Sequence, residues 1–177
     1  MSLTIIIGSM YSGKSTLLIN KVETLKVLGM KCLVINHVND TRVSGSFVQT
    51  HDGHCISAIK TNDILLTTTT GYEAVAIDEA QFFPNLKTAV MHMVEHNGQH
   101  VYVAGLNCDY LRNPFGEMLD LIPYADTIVW TRADCGVCKK GKASFTLRLT
   151  GETDIVSVGS AYVPACRSCY LAGIAPT

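Results

Sequence analysis

Short, nearly continuous hydrophobic runs recur along the chain, and they predict buried β-strands. The runs cover residues 3–7, 31–36, 74–77, 100–104 and 125–131. Strands that are covered on both faces show unbroken hydrophobicity of this kind, whereas strands with one solvated face alternate between apolar and polar residues. The pattern therefore predicts a parallel sheet with helices on both faces.

Segments with apolar residues at helical spacing separate several of these runs. Residues 14–28 form the clearest segment, and Gly29 follows it as a stop signal. Residues 63–66, 85–97 and 115–122 predict three further helices. Because a strand, a helix and a second parallel strand are joined by a right-handed crossover, we expect an α/β fold.

Two parts of the chain depart from this alternation. Residues 39–53 are polar and rich in Gly, Ser, Thr and Asp, which predicts a long functional loop, and residues 55–59 predict only a weak strand. The composition changes near Arg132, where paired cysteines begin. We therefore predict two domains, a larger α/β domain over residues 1–131 and a smaller domain over residues 132–177.

The segment between the first strand and the first helix matches the phosphate-binding pattern G-x-x-x-x-G-K-[ST]. Its members are Gly8, Ser9, Met10, Tyr11, Ser12, Gly13, Lys14 and Ser15. The glycines allow backbone N–H groups to surround an anion, and the helix N-terminus adds a partial positive charge. We expect Lys14 to reach the β- and γ-phosphates of ATP, and Ser15 to bind Mg²⁺. The motif therefore predicts a P-loop NTPase type of α/β fold, with residues 1–131 as the ATP-binding domain.

Two carboxylates, Asp78 and Glu79, follow the buried run at residues 74–77. An acidic group at the end of a neighbouring strand holds Mg²⁺ in nucleoside triphosphatases, and a second carboxylate can take a proton from the attacking oxygen. The pair alone does not distinguish an ATPase, in which water attacks, from a kinase, in which a substrate hydroxyl attacks. A helicase needs two motor domains, for which this chain is too short.

Four of the seven cysteines form two Cys-x-x-Cys pairs, Cys135 with Cys138 and Cys166 with Cys169. This spacing predicts a closed tetrahedral thiolate site for a structural Zn²⁺, with redox-active pairs as the alternative. Strand-like residues 142–148 and 154–158 lie between the pairs and predict a zinc ribbon. The other three thiols are expected to be buried; they are Cys32, Cys55 and Cys108.

Composition and charge narrow the classes of function. The chain has 177 residues, a formal net charge of −1 and no long basic stripe, which argues against nucleic acid as a partner. We find no apolar stretch long enough to span a membrane and no signal-peptide pattern at the start, so we expect a cytoplasmic protein without a membrane partner.

Several motifs together resemble the type II thymidine kinases of animal cells, bacteria and poxviruses. The resemblance runs nearly end to end. It rests on Met10 within the phosphate loop with Lys14-Ser15-Thr16 after it, on Asn39-Asp40-Thr41-Arg42, on Thr50-His51-Asp52, on Asp78-Glu79-Ala80-Gln81-Phe82-Phe83-Pro84, on Arg112-Asn113-Pro114-Phe115-Gly116 and on the paired cysteines. The resemblance implies transfer of the γ-phosphoryl group of ATP to the 5′-hydroxyl of thymidine, with deoxyuridine as a possible second acceptor.

The resemblance also implies roles for residues around the phosphates. Glu79 corresponds to the general base, and Asp40 and Asp78 join Ser15 at Mg²⁺. Arg42 offsets charge on the transferred group and, with His51, lies on a loop that acts as a lid. The ATP-binding set comprises the phosphate loop with Asp40, Thr41, Arg42, Asp78, Glu79, Ala80 and Gln81. No role follows for His51 or Asp52.

The family binds thymidine in an apolar slot under a lasso loop supported by the zinc ribbon. The matching positions are Met10, Phe82, Leu106, Tyr110, Phe115, Thr146 and Tyr162, with backbone contacts from Ile155, Val156, Ser157, Val158 and Gly159. Tyr110 differs from the phenylalanine frequent in the family, and the lasso is about two residues shorter before Tyr162. The resemblance further implies feedback inhibition by dTTP and a homotetramer.

Overall fold

The computed structural model describes residues 1–40, 45–49, 53–149 and 162–173. In chain order the strands are β1 (Ser2–Gly8), β2 (Cys32–His37), β3 (Phe47–Gln49), β4 (Cys55–Ser57), β5 (Ile59–Thr61), β6 (Ala74–Asp78), β7 (His100–Leu106), β8 (Thr127–Thr131), β9 (Ala133–Asp134), β10 (Lys142–Ala143), β11 (Phe145–Arg148) and β12 (Tyr162–Ala165). The α-helices are α1 (Lys14–Val27), α2 (Leu86–Met91) and α3 (Arg167–Gly173). None of the helices among the described residues has the length and hydrophobicity needed to cross a bilayer.

A six-stranded parallel sheet forms the centre of the molecule, in the order β5-β2-β6-β7-β1-β8. Gly8 pairs with Leu106 on one side and with Thr131 on the other, and Asn36 pairs with Asp78. The carboxyl ends of these strands therefore lie at one edge of the sheet. The predicted α/β class with a parallel sheet is confirmed.

Alternate residues of the four central strands, β1, β2, β6 and β7, enter different hydrophobic cores on the two faces of the sheet. Ile5 and Ile7 pack with α2 in one core, whereas Ile6 packs in the other against Leu18 and Val22 of α1. Burial on both faces explains why these strands lack a polar alternation. The prediction of a buried strand over residues 125–131 is wrong, because β8 lies at the edge of the sheet and is largely exposed.

Three elements of the structure differ from those predicted from the sequence. The helix predicted over residues 85–97 changes after α2 into a π-helical turn over His92–His96. The helix predicted over residues 115–122 is reduced to a 3₁₀ segment, Leu119–Tyr124, since Gly116 takes a left-handed backbone conformation with φ of 56° and Pro123 lies within the segment. The long loop predicted over residues 39–53 contains β3.

Tertiary contacts explain the unexpected strand β3. It pairs in antiparallel fashion with β4, and its central residue, Val48, is fully buried beside α1. A single buried valine within a polar segment carries little periodicity, so local sequence patterns do not reveal such a strand.

Two small antiparallel pairs, β9 with β10 and β11 with β12, follow the central sheet. Leu147, Ala165 and Tyr170 form their small separate core together with α3. The strand predicted over residues 154–158, within the expected lasso, lies outside the described residues. The domain boundary at Arg132 stays a prediction.

Candidate functional site

The phosphate-loop segment joins β1 directly to α1, at the carboxyl edge of the sheet. Gly13 takes a left-handed conformation with φ of 82° immediately before Lys14, the first residue of the helix. A side chain on Gly8 would place a Cβ 2.4 Å from the carbonyl oxygen of Thr131. Ser12 Oγ donates a 2.8 Å hydrogen bond to the Ser9 carbonyl oxygen and lies 2.6 Å from Thr131 Oγ1. The loop is thus held closely against the neighbouring strand β8.

Lys14 lies across this loop. Its Nζ donates a 2.7 Å hydrogen bond to the carbonyl oxygen of Ser9. The ammonium group and the N-terminal end of the 14-residue helix α1 therefore lie on the same side of the loop. A cation, a helix N-terminus and turn backbone together form a favourable site for phosphate.

The acidic residues lie at the same edge of the sheet. Asp78 ends β6 with its side chain buried, and β7 separates β6 from β1. Parallel strands lie about 4.8 Å apart, so Asp78 and Gly8 end strands whose axes are about 10 Å apart. Glu79 follows in a left-handed conformation with φ of 50°, which is uncommon for a residue other than glycine.

Asp40 is brought to this edge by a residue that the sequence analysis did not select. Asn36 pairs with Asp78 in the sheet register, and its Nδ2 donates a 2.8 Å hydrogen bond to Asp40 Oδ2. Lys60 Nζ donates a 2.7 Å hydrogen bond to the Asp40 carbonyl oxygen. Ser15, Asp40 and Asp78 offer hard oxygen ligands, which are the ligands that Mg²⁺ prefers. Their chemistry fits the predicted ion.

His37, the last residue of β2, is a second residue missed by the sequence analysis. Its ring lies between two aromatic side chains, with centroid distances of 5.4 Å to Phe82 and 4.8 Å to Phe83. The backbone N–H of Asn39 donates a 3.1 Å hydrogen bond to His37 Nδ1. Burial lowers the pKa of His37, and the nearby charge of Glu79 partly opposes this shift. The sequence signal that could have identified His37 is its position as a polar residue at the carboxyl end of a buried strand.

The lowered pKa of His37 predicts a pH-dependent stability. Between the folded pKa and the ordinary value near 6.5, the unfolded chain binds more protons, so the free energy of unfolding should fall as the pH drops below about 6.5. The slope contributed by one residue is at most about 1.4 kcal/mol per pH unit. Denaturant titrations between about pH 5 and pH 7.5 should therefore show a shallower pH dependence in His37→Asn.

A matched control for this measurement is His92→Asn, which removes an exposed imidazole from the π-helical turn. An unchanged slope in His37→Asn would contradict the assignment of the pH dependence to the buried ring.

The described residues of the expected nucleoside slot form two aromatic pairs. Phe82 and Phe115 meet edge to face at 5.4 Å, and the rings of Tyr110 and Tyr162 lie 6.2 Å apart. Leu106 ends β7 at the same edge of the sheet. The remaining predicted residues of the site lie outside the described residues; they are Thr41, Arg42, His51, Asp52, Ile155, Val156, Ser157, Val158 and Gly159.

Thr146 connects the C-terminal hairpin to the phosphate loop, because its Oγ1 accepts a 3.2 Å hydrogen bond from the backbone N–H of Met10.

A further residue of this region was missed by the sequence analysis. The guanidinium group of Arg148 lies 4.8 Å from the ring centre of Tyr110 and 5.5 Å from that of Tyr162. Cation–π contacts of this kind hold aromatic rings in place. Nothing in the local sequence indicates them.

The four paired cysteines form one compact cluster. All four Sγ atoms lie within 4.8 Å of one another, and Cys138 Sγ is 3.9 Å from Cys166 Sγ. A tetrahedral Zn²⁺ site with Zn–S bonds near 2.3 Å requires S–S distances of about 3.8 Å. The cluster could therefore hold a metal ion, and its thiolate chemistry and size fit Zn²⁺.

The pKa values of the thiols also favour a metal site in this cluster. Backbone N–H groups of Cys138 and Cys166 stabilise the thiolate of Cys135 and lower its pKa to about 6. The hydrogen bond with Cys166 and desolvation raise the pKa of Cys169 to about 12. Crowding of this kind is relieved when a dication neutralises the ligands.

The three other cysteines only partly match the prediction of buried thiols. Cys32 and Cys108 are partly buried, and desolvation raises the pKa of each. The prediction for Cys55 is wrong, because this residue is exposed. It begins the short strand β4, in which only the central residue, Ile56, points toward the core.

Comparisons with known proteins identify the family of this chain. The family model described as "Thymidine kinase" matches residues 1–170. The thymidine kinase of raccoon poxvirus is 40% identical over 171 residues, which cover 94% of this chain and 95% of the relative. The thymidine kinase of Amsacta moorei entomopoxvirus is 37% identical over 179 residues, covering 96% and 98% of the two chains. The chain therefore belongs to the thymidine kinase family.

Proposed function

We propose that the protein transfers the γ-phosphoryl group of ATP to the 5′-hydroxyl of thymidine and releases thymidine monophosphate and ADP. The observation that carries the proposal is the position of the phosphate loop and of the Asp78-Glu79 pair at one edge of the sheet, in a chain of the thymidine kinase family. Phosphoryl transfer needs both a phosphate cradle and a carboxylate near the acceptor.

The triphosphate would be held by the backbone of residues 8–15 and by Lys14. Magnesium bound with ATP would neutralise charge on the phosphates, and Ser15, Asp40 and Asp78 are the residues that would hold it. The hydrogen bond from Asn36 to Asp40 supports this set, since it aligns a carboxylate beside the strand that ends in Asp78. Arg42 and Thr41 would complete the phosphate contacts.

Glu79 would act as the general base. An alcohol becomes acidic only as its oxygen bonds to phosphorus, so a positioned carboxylate is sufficient and most of the catalysis is alignment. The left-handed backbone of Glu79 supports this role, because strained residues of this kind are frequent at functional sites.

Thymidine would lie in an apolar slot formed by the two aromatic pairs together with Met10, Leu106 and Thr146, and by the backbone of residues 155–159. The contact between Thr146 and Met10 supports this location, because it places the C-terminal hairpin against the phosphate loop. A triphosphate of the same nucleoside could occupy both sites, which leads us to propose feedback inhibition by dTTP.

Two further proposals concern the state of the protein. We propose a structural Zn²⁺ in the four-cysteine cluster, supported by the S–S distances, and a homotetramer, as implied by the family. Reduced thiolate ligands persist in the cytoplasm, where we place the enzyme.

Product analysis tests the proposed reaction directly. Purified protein with Mg-ATP should convert thymidine to thymidine monophosphate, detected by chromatography and mass spectrometry with one ADP formed per product. A panel of thymidine, deoxyuridine, deoxycytidine and purine nucleosides, each at equal concentration, would identify the preferred acceptor. ADP formation without any nucleotide product, stimulated by DNA or RNA, would overturn the proposal in favour of a nucleic-acid-dependent ATPase.

A further inference from the structure

Gln81 is a buried polar residue whose side chain joins two parts of the candidate site. Its Nε2 donates a 2.6 Å hydrogen bond to Glu79 Oε2, and its Oε1 accepts a 2.9 Å hydrogen bond from the backbone N–H of Leu106. The side chain is only 3% exposed. One amide therefore links the carboxylate of the proposed base to the carboxyl end of β7.

The surrounding backbone is shaped to fit this glutamine. A Cβ added to Gly105 would lie 2.7 Å from Gln81 Oε1, and a Cβ added to Gly116 would lie 2.2 Å from the Gln81 carbonyl oxygen. Gly116 also takes a positive φ of 56°. Two residues without side chains thus allow Gln81 to fit between β7 and the segment that follows Phe115. Such close packing leaves the amide little freedom to rotate.

We propose that Gln81 is a positioning residue that orients the carboxylate of Glu79. This inference rests on the proposed function. In the step concerned, the 5′-oxygen of thymidine forms a bond to Pγ, the bond from Pγ to the bridging oxygen of ADP breaks, and the hydroxyl proton passes to Glu79. The short hydrogen bond from the amide holds this carboxylate in one orientation, and alignment of a catalytic group contributes directly to the rate.

The hydrogen bond from the Leu106 backbone to Gln81 relates the Glu79 carboxylate to the rest of the candidate site. Leu106 ends the strand that pairs with Gly8 of the phosphate loop, and it is one of the expected residues of the nucleoside slot. Gln81 therefore sets the carboxylate relative to both reactants. The family resemblance places Gln81 among the ATP contacts, whereas the observed hydrogen bonds assign its amide to the base.

Two substitutions separate the positioning role from an ATP contact. Gln81→Met has a similar size but cannot donate, and we expect kcat to fall about 10- to 100-fold, the range that misalignment of a catalytic group produces. The KM values for ATP and thymidine should change little, since neither substrate loses a direct contact. Gln81→Glu retains an acceptor for the N–H of Leu106 but replaces the amide donor with a second carboxyl group beside Glu79. We expect its kcat to fall by a similar factor, again with little change in either KM.

Gln99→Met is the matched control, because Gln99 is equally buried and its Nε2 donates 2.8 Å hydrogen bonds to the carbonyl oxygens of Thr69 and Tyr72. It lies just before β7, at the opposite end of this strand from the site. We expect this variant to lose thermal stability and to retain the wild-type kcat. Melting temperatures of all variants would show whether each is folded under the assay conditions.

The possible outcomes distinguish the proposals. Wild-type protein without kinase activity would overturn the proposed function itself. An active wild type in which Gln81→Met raises KM for ATP at unchanged kcat would identify Gln81 as an ATP contact and overturn the positioning role. A wild-type kcat in Gln81→Glu, or effects no larger than those of Gln99→Met, would also overturn the positioning role while leaving the kinase assignment intact.

Discussion

Glu79→Gln should lower kcat for thymidine phosphorylation by about 10²- to 10⁴-fold, the contribution typical of general acid–base catalysis. The new amide keeps the size of the side chain and can still accept the hydrogen bond from Gln81, so the structure around it should persist. What is lost is the negative charge that takes the proton of the 5′-hydroxyl. Initial rates with saturating Mg-ATP and thymidine would measure the effect.

Binding experiments distinguish a loss of catalysis in Glu79→Gln from a loss of substrate binding. Calorimetry should show ATP and thymidine affinities close to those of the wild type, because the phosphate loop and the apolar slot are unchanged. Glu73→Gln is a suitable control, since Glu73 is exposed and lies just before β6, at the opposite end of that strand from Glu79. Turnover of Glu79→Gln at the wild-type rate would show that another group, or solvent, accepts the proton.

Removal of the metal from the four-cysteine cluster should have an effect of similar size. Among the described residues, the small core next to these cysteines has three buried members, Leu147, Ala165 and Tyr170, which come from β11, β12 and α3. A core this small cannot stabilise a fold alone, whereas structural Zn²⁺ contributes about 10–16 kcal/mol in zinc-finger peptides. Metal loss should therefore unfold this region and remove Thr146 from its contact with Met10.

Cys135→Ser provides the test. We expect metal analysis to find about one zinc per chain in the wild type and much less in the variant. We also expect faster proteolysis in the C-terminal region, and a fall in kcat/KM for thymidine of at least about 100-fold as the slot loses one wall. Cys55→Ser is the matched control, since Cys55 is exposed and remote from the cluster. Full thymidine kinase activity in zinc-free protein would refute the supporting role.

The local features of the chain were predictable from the sequence alone. The strand over residues 3–7 and the helix after Gly13 follow from hydrophobic runs, helical spacing and a glycine-rich turn, each of which depends on neighbouring residues alone. The four-cysteine cluster was equally predictable, because two Cys-x-x-Cys turns can share one tetrahedral ion at many separations along the chain.

Elements that depend on distant partners were not predictable in this way. Strand β3 exists because Val48 reaches the core beside α1, and the helix expected after Phe115 is shortened where Gly116 packs against the Gln81 carbonyl group. Sequence periodicity records which residues are apolar, but not which remote backbone they meet.

The amino-acid sequence by itself thus determined the α/β class, the glycine-rich turn before α1 and the cysteine set, because these depend on short-range spacing and on residue chemistry. Tertiary structure alone decided the strand order, the burial of His37, the contact of Arg148 with two tyrosines and the hydrogen bonds that join Glu79 through Gln81 to Leu106. Each of these arises where separate parts of the chain meet, and the free energy of such contacts depends on packing that no local pattern encodes.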